Sequence, residues 1–261
     1  MYKWNPEEYQ TSSPNQKKWG TELLDKLSFG GGERVLDIGC GDGQITALIA
    51  QRVPHGSALG IDSSADMVKL AQSNFPPEDY PNLSFRLKDA RQLDFTEEFD
   101  IVFSNATLHW VIDHAPVLEG IKRSLKPSGK ILLQMGGQDS ATELVSILDS
   151  MTGEEKWARY FDRFTFPYGF HGPEKYRRWL NTTGFKVKRV ELIPKDMAHQ
   201  GEAGLASWIR TTWLPYTQRV PDSSREEFIK EIIERYIKKY PPDGDGVIHV
   251  PMNRLEVEAE K

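Results

Sequence analysis

Apolar residues fall in short runs separated by turns and by stretches with helical spacing. Glu33–Ile38 is a run that closes on Asp37 and a cluster of glycines, and Gln44–Val53 follows with apolar positions three and four apart. The pattern predicts a strand, a glycine turn and a helix. Ser57–Ile61 reads as a second strand ending at Asp62, after which Ser64 caps a helix carrying Met67, Val68, Leu70 and Ala71. Leu83–Leu87, Phe99–Phe103 and Lys130–Met135 read as three further strands. The last of them is introduced by the Pro127-Ser128-Gly129 turn, and Ala115–Leu125 is a helix before it. Strands alternating with helices at this spacing specify an α/β fold with a doubly wound, mostly parallel sheet.

Beyond Met135 the alternation stops. Gly136-Gly137 leads into a helical stretch and then an aromatic, proline-containing segment from Trp157 to Trp179, read as an insertion. Phe185–Ile193 is strand-like, Gly201–Leu214 is helical through Leu205, Ile209 and Trp213, and Ser223–Lys239 is a charged amphipathic helix. Val247–Val257 is the last strand. The tail alternates Leu255, Val257 and Ala259 with Glu256, Glu258 and Glu260, the pattern of a strand with one wet face.

Composition narrows the class without naming it. The 261 residues are 38% hydrophobic and 27% charged, and no apolar run approaches the roughly eighteen residues of a membrane span. A soluble protein with no membrane partner is expected. Met1–Gln10 holds Trp4, Glu7 and Glu8 rather than a basic patch and an apolar core, and Cys40 is the only cysteine, so a cytoplasmic protein without an intramolecular disulfide is expected. The net charge of −5 provides no overall positive field for a phosphate backbone, which argues against a nucleic-acid partner.

The chemistry concentrates at Asp37-Ile38-Gly39-Cys40-Gly41-Asp42-Gly43, where the first strand meets the first helix. Glycines there open the backbone to a ligand, as they do in dinucleotide-binding domains. The spacing differs, however: G-x-G-x-G in place of G-x-G-x-x-G, with Asp37 two residues ahead, where a pyrophosphate would meet negative charge. A ligand carrying an ammonium group suits such a loop, and the amino-acid end of S-adenosylmethionine (SAM) is one. Asp62, at the end of the second strand, can accept from ribose hydroxyls. Asp89, beside the small Ala90, can accept from an adenine amino group. Ser104-Asn105-Ala106 lies where the chain leaves the fourth strand. These sites converge on the carboxyl edge of one sheet.

By these residues the sequence resembles the class I SAM-dependent methyltransferases, with a Rossmann-like core at residues 30–135. Within that superfamily it is most similar to the trans-aconitate and juvenile hormone acid carboxyl methyltransferase groups. Trp4-Asn5-Pro6 with Tyr9, Gln16, the run Asn105–His114 and the tail Pro251–Leu255 carry that likeness. Asp42 stands where many relatives have proline, and His109 where the aconitate enzymes tend to have glutamine. The resemblance implies one methyltransferase domain over 1–261, with residues 137–183 and 1–20 forming a helical cover over the active site. It implies SAM as cofactor, held by Tyr9, Gln16, Asp37, Gly39, Cys40, Gly41, Gly43, Asp62, Ser63, Met67, Asp89, Ala90, Asn105, Ala106 and His109. Gln16, His109 and Trp110 become the catalytic candidates.

A carboxylic acid is already an anion at neutral pH and needs positioning and desolvation rather than a base. No acid–base dyad is evident, which fits a small-molecule acid substrate. Arg177, Arg178 and Arg210 are candidate anchors for its charge. His109 and His114 stand at metal-ligand spacing, but no nearby cysteine or third histidine completes a site, so no metal is expected. Cys40 has no flanking base and reads as a packed turn residue. Other small-molecule O, N or C acceptors, or SAM binding without catalysis, stay open, and a monomer or weak homodimer is expected.

Overall fold

The structure, a computed structural model, describes residues 14–261, with side chains from residue 17 onward. Its strands are Arg34–Ile38 (β1), Ser57–Asp62 (β2), Leu83–Leu87 (β3), Phe99–Asn105 (β4), Leu125–Gly136 (β5), Lys186–Gln200 (β6) and Val247–Glu260 (β7). They form one sheet in the order β3-β2-β1-β4-β5-β7-β6. The first five pair in parallel, while β7 runs antiparallel to β5 from Lys130↔Glu260 to Gly136↔Arg254. The expected doubly wound α/β architecture is present. The order reverses between β1 and β4, which opens a crevice at the carboxyl ends of those strands.

The helices are Pro14–Leu24 (α1), Gln44–Arg52 (α2), Ala65–Asn74 (α3), Ala115–Ser124 (α4), Thr142–Thr152 (α5), Glu155–Ala158 (α6), Pro173–Thr183 (α7), Gly201–Thr212 (α8), Leu214–Thr217 (α9) and Asp222–Lys239 (α10). Alternation along β1 divides the core between the faces of the sheet. Leu36 and Ile38 join one buried cluster with Leu133 and Val257, and Val35 joins the other with Ala47, Ile49 and Phe103. Asp37 shares the Val35 face by the same period of two.

The chain divides into two compact units. Pro14–Gln138, Tyr168–Ile193 and Arg254–Lys261 make up one, and the other, among the described residues, comprises Asp139–Pro167 and Pro194–Asn253. The segment expected as a cover, 137–183, is thus divided: Tyr168–Thr183 belongs to the unit that holds the parallel strands. In that unit Gln138 donates its N–H to the His171 carbonyl, and the Gly136 backbone lies against Phe170.

Several element boundaries differ from expectation for identifiable reasons. β4 continues through Ser104 and Asn105, because Ser104 Oγ donates to the Ile38 carbonyl at 2.7 Å and Asn105 pairs with Gln134. Ala106, at φ 54°, is where the chain turns away. β5 begins at Leu125, with a register shift between Phe99 and Ile101 that absorbs the Pro127-Ser128-Gly129 stretch. The helix expected over Gly201–Leu214 ends at Thr212, and Pro215 starts a separate turn of helix, consistent with its missing N–H. The expected wet face of the tail holds at Glu258 and Glu260, whose side chains stay half-exposed, but Glu256 is buried, as is Arg254 before it. Glu256 is held there by Lys26 Nζ at 2.6 Å, Arg189 Nη1 at 2.7 Å and Gln134 Nε2 at 2.8 Å. No helix among the described residues is long and apolar enough to cross a membrane.

Candidate active site

The loop after β1 turns on its glycines. Gly39, Gly41 and Gly43 have φ of 79°, 54° and 85°. The N–H groups of Gly39 and Cys40 both donate to the Ile61 carbonyl, which pins the loop to the end of β2. Gly39 has no room for a side chain, since a Cβ there would lie 2.0 Å from Thr107 Oγ1. Gly41 is different. A Cβ there would meet nothing within 4 Å, so the crest of the loop faces open space. Cys40 is buried, and burial together with the Asp37, Asp62 and Asp42 charges pushes its thiol up, away from nucleophilic character. Asp42 accepts from the Gln44 N–H and its side-chain amide at the start of α2.

Asp37 is 2% exposed and accepts from Thr46 Oγ1 of α2 at 2.7 Å. Burial pushes its carboxyl up to about 7, the Thr46 hydrogen bond pulls down, and the Asp62 charge adds to the rise. Asp62 uses both oxygens, accepting from Gly41 N–H at 3.1 Å and Ser64 N–H at 2.8 Å. It therefore links the glycine loop to the entry of α3. Burial raises its pKa too, against three backbone hydrogen bonds. Ser64 rather than Asp62 caps α3, accepting from Met67 N–H, so Met67 is buried and Ser63 exposed.

At the end of β3, Asp89 accepts from the Arg91 N–H at 2.8 Å and from the Arg91 guanidinium through both oxygens. That pairing holds its pKa below the ordinary value. An adenine amino group would share an oxygen with Arg91. Ala90 packs on the core. Asn105 ends β4, its side-chain amide against Gly20 of α1.

His109 is buried in the short turn Leu108–Trp110. Its Nδ1 accepts from the Gly136 N–H at 3.3 Å, which puts the ring proton on Nε2. Desolvation, then the Arg254 charge, then His114, hold its pKa well below the ordinary value, so the ring is a neutral donor. Trp110, Tyr168 and Phe170 surround it at ring-centroid distances of 5.7, 6.2 and 5.9 Å. His114 is structural: Nε2 faces the Leu108 and Val111 carbonyls at 2.8 and 2.9 Å, and Nδ1 faces the Tyr176 hydroxyl.

Tyr9 lies outside the described residues, as does the side chain of Gln16; the Gln16 backbone belongs to α1, a helix the sequence reading missed. Of the candidate arginines, Arg177 donates to the Val190 carbonyl, Arg178 is exposed, and Arg210 forms a two-pronged pair with Glu226. The sequence reading names Arg254 only within the tail that carries the family likeness; it is buried on β7, paired with Gly136, whose N–H donates to His109.

A buried acid next to an open glycine crest fits a ligand that brings a cation to the backbone. Residues 30–184 match the methyltransferase domain family. The chain belongs to it. The resemblance to class I SAM-dependent methyltransferases is thereby borne out, and SAM is the cofactor. Over its whole length this methyltransferase is 30% identical to trans-aconitate 2-methyltransferase of Escherichia coli, covering 99% of that protein. It is 29% identical to trans-aconitate 2-methyltransferase of Mycobacterium tuberculosis, over 98% of this chain and 96% of that one. The crystal structure of the YcgJ protein of Bacillus subtilis shares the fold at a TM-score of 0.65, with 19% identity over 94% of this chain and 98% of that one.

Proposed function

We propose that this methyltransferase transfers the methyl group of SAM to the carboxylate of a small organic acid. The reading is carried by His109: buried and neutral, its Nδ1 occupied by Gly136, it offers one proton donor and no basic lone pair. An alcohol or amine acceptor must lose a proton, whereas a carboxylic acid arrives as its anion. The full-length likeness to trans-aconitate methyltransferases supports the same acceptor class.

In this reading Asp37 faces the ammonium of the cofactor's amino-acid end, and Gly39, Cys40, Gly41 and Gly43 bring backbone close to it. Asp62 and Ser63 take the ribose. Met67, Asp89 and Ala90 flank the adenine, and Asn105 and Ala106 complete the wall; Tyr9 and Gln16 are cofactor contacts by the family resemblance alone. When bound, SAM supplies a methyl group already activated on a sulfonium. The protein's task is then alignment and water exclusion. His109 Nε2–H donates to the carboxylate oxygen that does not react, and Trp110, Tyr168 and Phe170 displace the water that blunts a carboxylate's nucleophilicity. Tritiated methyl transfer to a panel of small acids tests the proposal. A product that releases label under mild base is expected from an ester, and a base-stable product refutes it.

A further inference from the structure

Resting on the role proposed for His109, we infer that His171 is a positioning residue for methyl transfer, its ring N–H latching the strap Tyr168-Gly169-Phe170 onto the turn that carries His109. Tyr168 and Phe170 stack on each other with centroids 5.3 Å apart, and both pack on the His109 ring. The strap is thus one wall around that ring. It belongs to no helix or strand, and single contacts attach it. Gly169 N–H donates to the His109 carbonyl at 2.8 Å, and His171 Nε2 lies 2.9 Å from the Ile112 carbonyl, just past the turn. Beyond the end of β5, Gln138 N–H donates to the His171 carbonyl at 3.0 Å.

A carbonyl only accepts, so the Ile112 contact places the His171 proton on Nε2. Packing holds the ring ready for that bond: the His114 and Trp179 rings meet it near a right angle, with centroids 4.8 and 4.7 Å away. His114 faces the Leu108 and Val111 carbonyls, so the two histidines together engage backbone on both sides of His109. The approach of strap to turn is close. A Cβ at Gly169 would lie 2.2 Å from the Val111 carbonyl oxygen, and one at Gly136 would lie 2.6 Å from Phe170 Cε1. Releasing the His171 end therefore lets Phe170 and Tyr168 move off the His109 ring, and a misplacement of about 1 Å at a reacting site can cost on the order of 100-fold in rate. The glycine loop is pinned separately, to the Ile61 carbonyl, so the latch acts on transfer rather than on cofactor binding.

The full-length His171→Phe and His171→Gln variants test it, with kcat from the best acid of the panel, S-adenosylhomocysteine affinity from calorimetry and exchange of the Gly169 amide from NMR. Phe keeps a ring between His114 and Trp179 but removes the donor, whereas Gln gives up the ring and keeps an N–H at the reach of Nε2. His171→Phe is expected to lower kcat about 30-fold and to speed Gly169 exchange about tenfold, while S-adenosylhomocysteine affinity stays within about threefold. His171→Gln should bring kcat back to within about fivefold of wild type. A ring that only packs gives the reverse order, with Phe near wild type and Gln impaired, and that result overturns the inference. Parallel loss of kcat, affinity and thermal stability in both variants overturns it as well. If His109→Ala is slow but folded His171→Phe stays within about threefold of wild type, the inference fails alone. If His109→Ala turns over as fast as wild type, the role of His109 fails and the inference with it. Should His171→Phe not fold, the wild type decides: Gly169 and Gln138 amides that exchange as fast as those of an unstructured peptide overturn the latch, and protected amides together with near-wild-type kcat in His171→Gln sustain it.

Discussion

Replacing Asp37 with Asn separates the cost of this buried acid from its use. Between pH 3.8 and about 7 the folded protein holds a proton on Asp37 that the unfolded chain has released. Stability from this group is therefore fully present below 3.8 and lost as pH rises through about 7. At 1.36 kcal/mol per pKa unit, the loss amounts to about 4 kcal/mol by pH 8. Asn cannot ionise and its amide oxygen still accepts from Thr46, so Asp37→Asn without ligand should be more stable than wild type at pH 8 by about 2–4 kcal/mol and equal to it near pH 3.5. Urea melts at the two pH values measure this. Binding should move the opposite way: the ammonium loses its counter-charge, and affinity for S-adenosylhomocysteine should fall by about 2–4 kcal/mol. At pH 7 the wild-type carboxyl is about half protonated, so ligand binding should release about half a proton, visible as a buffer-dependent heat in calorimetry that Asp37→Asn lacks. A variant that is destabilised at pH 8 and binds the ligand as tightly as wild type would refute the reasoning and leave Asp37 a structural residue.

The glycine loop gives a paired test. Gly39→Ala, with no space beside Thr107, should cost at least about 2 kcal/mol of stability, whereas Gly41→Ala should cost about 1 kcal/mol yet weaken S-adenosylhomocysteine binding at least about tenfold; equal effects on both measurements at both positions would contradict it. Asp62→Ala removes the acceptor of the Gly41 and Ser64 N–H groups and should weaken ligand binding by about 1–3 kcal/mol in calorimetry. His109→Ala should lower turnover about 100-fold while S-adenosylhomocysteine affinity stays within about threefold; parallel loss of affinity would make His109 a cofactor residue. His114 and His199, each buried neutral with a pKa of about 4, bind protons in the unfolded chain before the folded one does. Their contribution is present above 6.5 and lost as pH falls toward 4, about 3 kcal/mol each, and urea midpoints of the His114→Asn variant should be correspondingly flatter across that range.

Most of the parallel sheet was legible because fully buried strands leave a signal that solvent does not disturb: continuous apolar runs closed by glycine or aspartate, as at Val35-Leu36-Asp37-Ile38. The acids at the ends of β1, β2 and β3 were legible for a related reason, since a carboxylate at the end of an apolar strand needs a partner. The misreadings share a different cause. Alternation of Leu255, Val257 and Ala259 with charged residues looks the same whether the second face meets water or a buried ion cluster, and only the positions of Lys26 and Arg189, far away in sequence, decide it for Glu256. Arg254 entered the sequence reading only through the likeness of the tail Pro251–Leu255. Its neighbour across the sheet, Gly136, could not be known until β7 was seen to pair antiparallel with β5. The tautomer of His109 depends on the same long-range pairing, which no local motif records.

Sheet order places an acid and a base of opposite adaptability along one edge: Asp37 on β1 and Arg254 on β7, with β4, β5 and the His109 turn between. Asp37 can relieve its burial by taking up a proton. Arg254 has no such option, and His109 is held neutral by its own burial and then by the Arg254 charge. Methyl transfer from a sulfonium to a carboxylate annihilates both charges, giving a neutral thioether and a neutral ester. Transfer to an amine moves a positive charge without removing it. A reaction that destroys opposite charges is favoured by taking its reactants out of water, because the product state has little hydration to lose. On the proposed reading, the aromatic surround of Trp110, Tyr168 and Phe170 would therefore accelerate the first reaction far more than the second. On that proposal, selectivity for an acid over an amine of similar shape would follow from the dryness of the site as much as from its hydrogen bonds. Widening it with Phe170→Ala should lower turnover of the acid while leaving S-adenosylhomocysteine affinity unchanged, and an undiminished rate would show that water exclusion around His109 is not what drives the transfer.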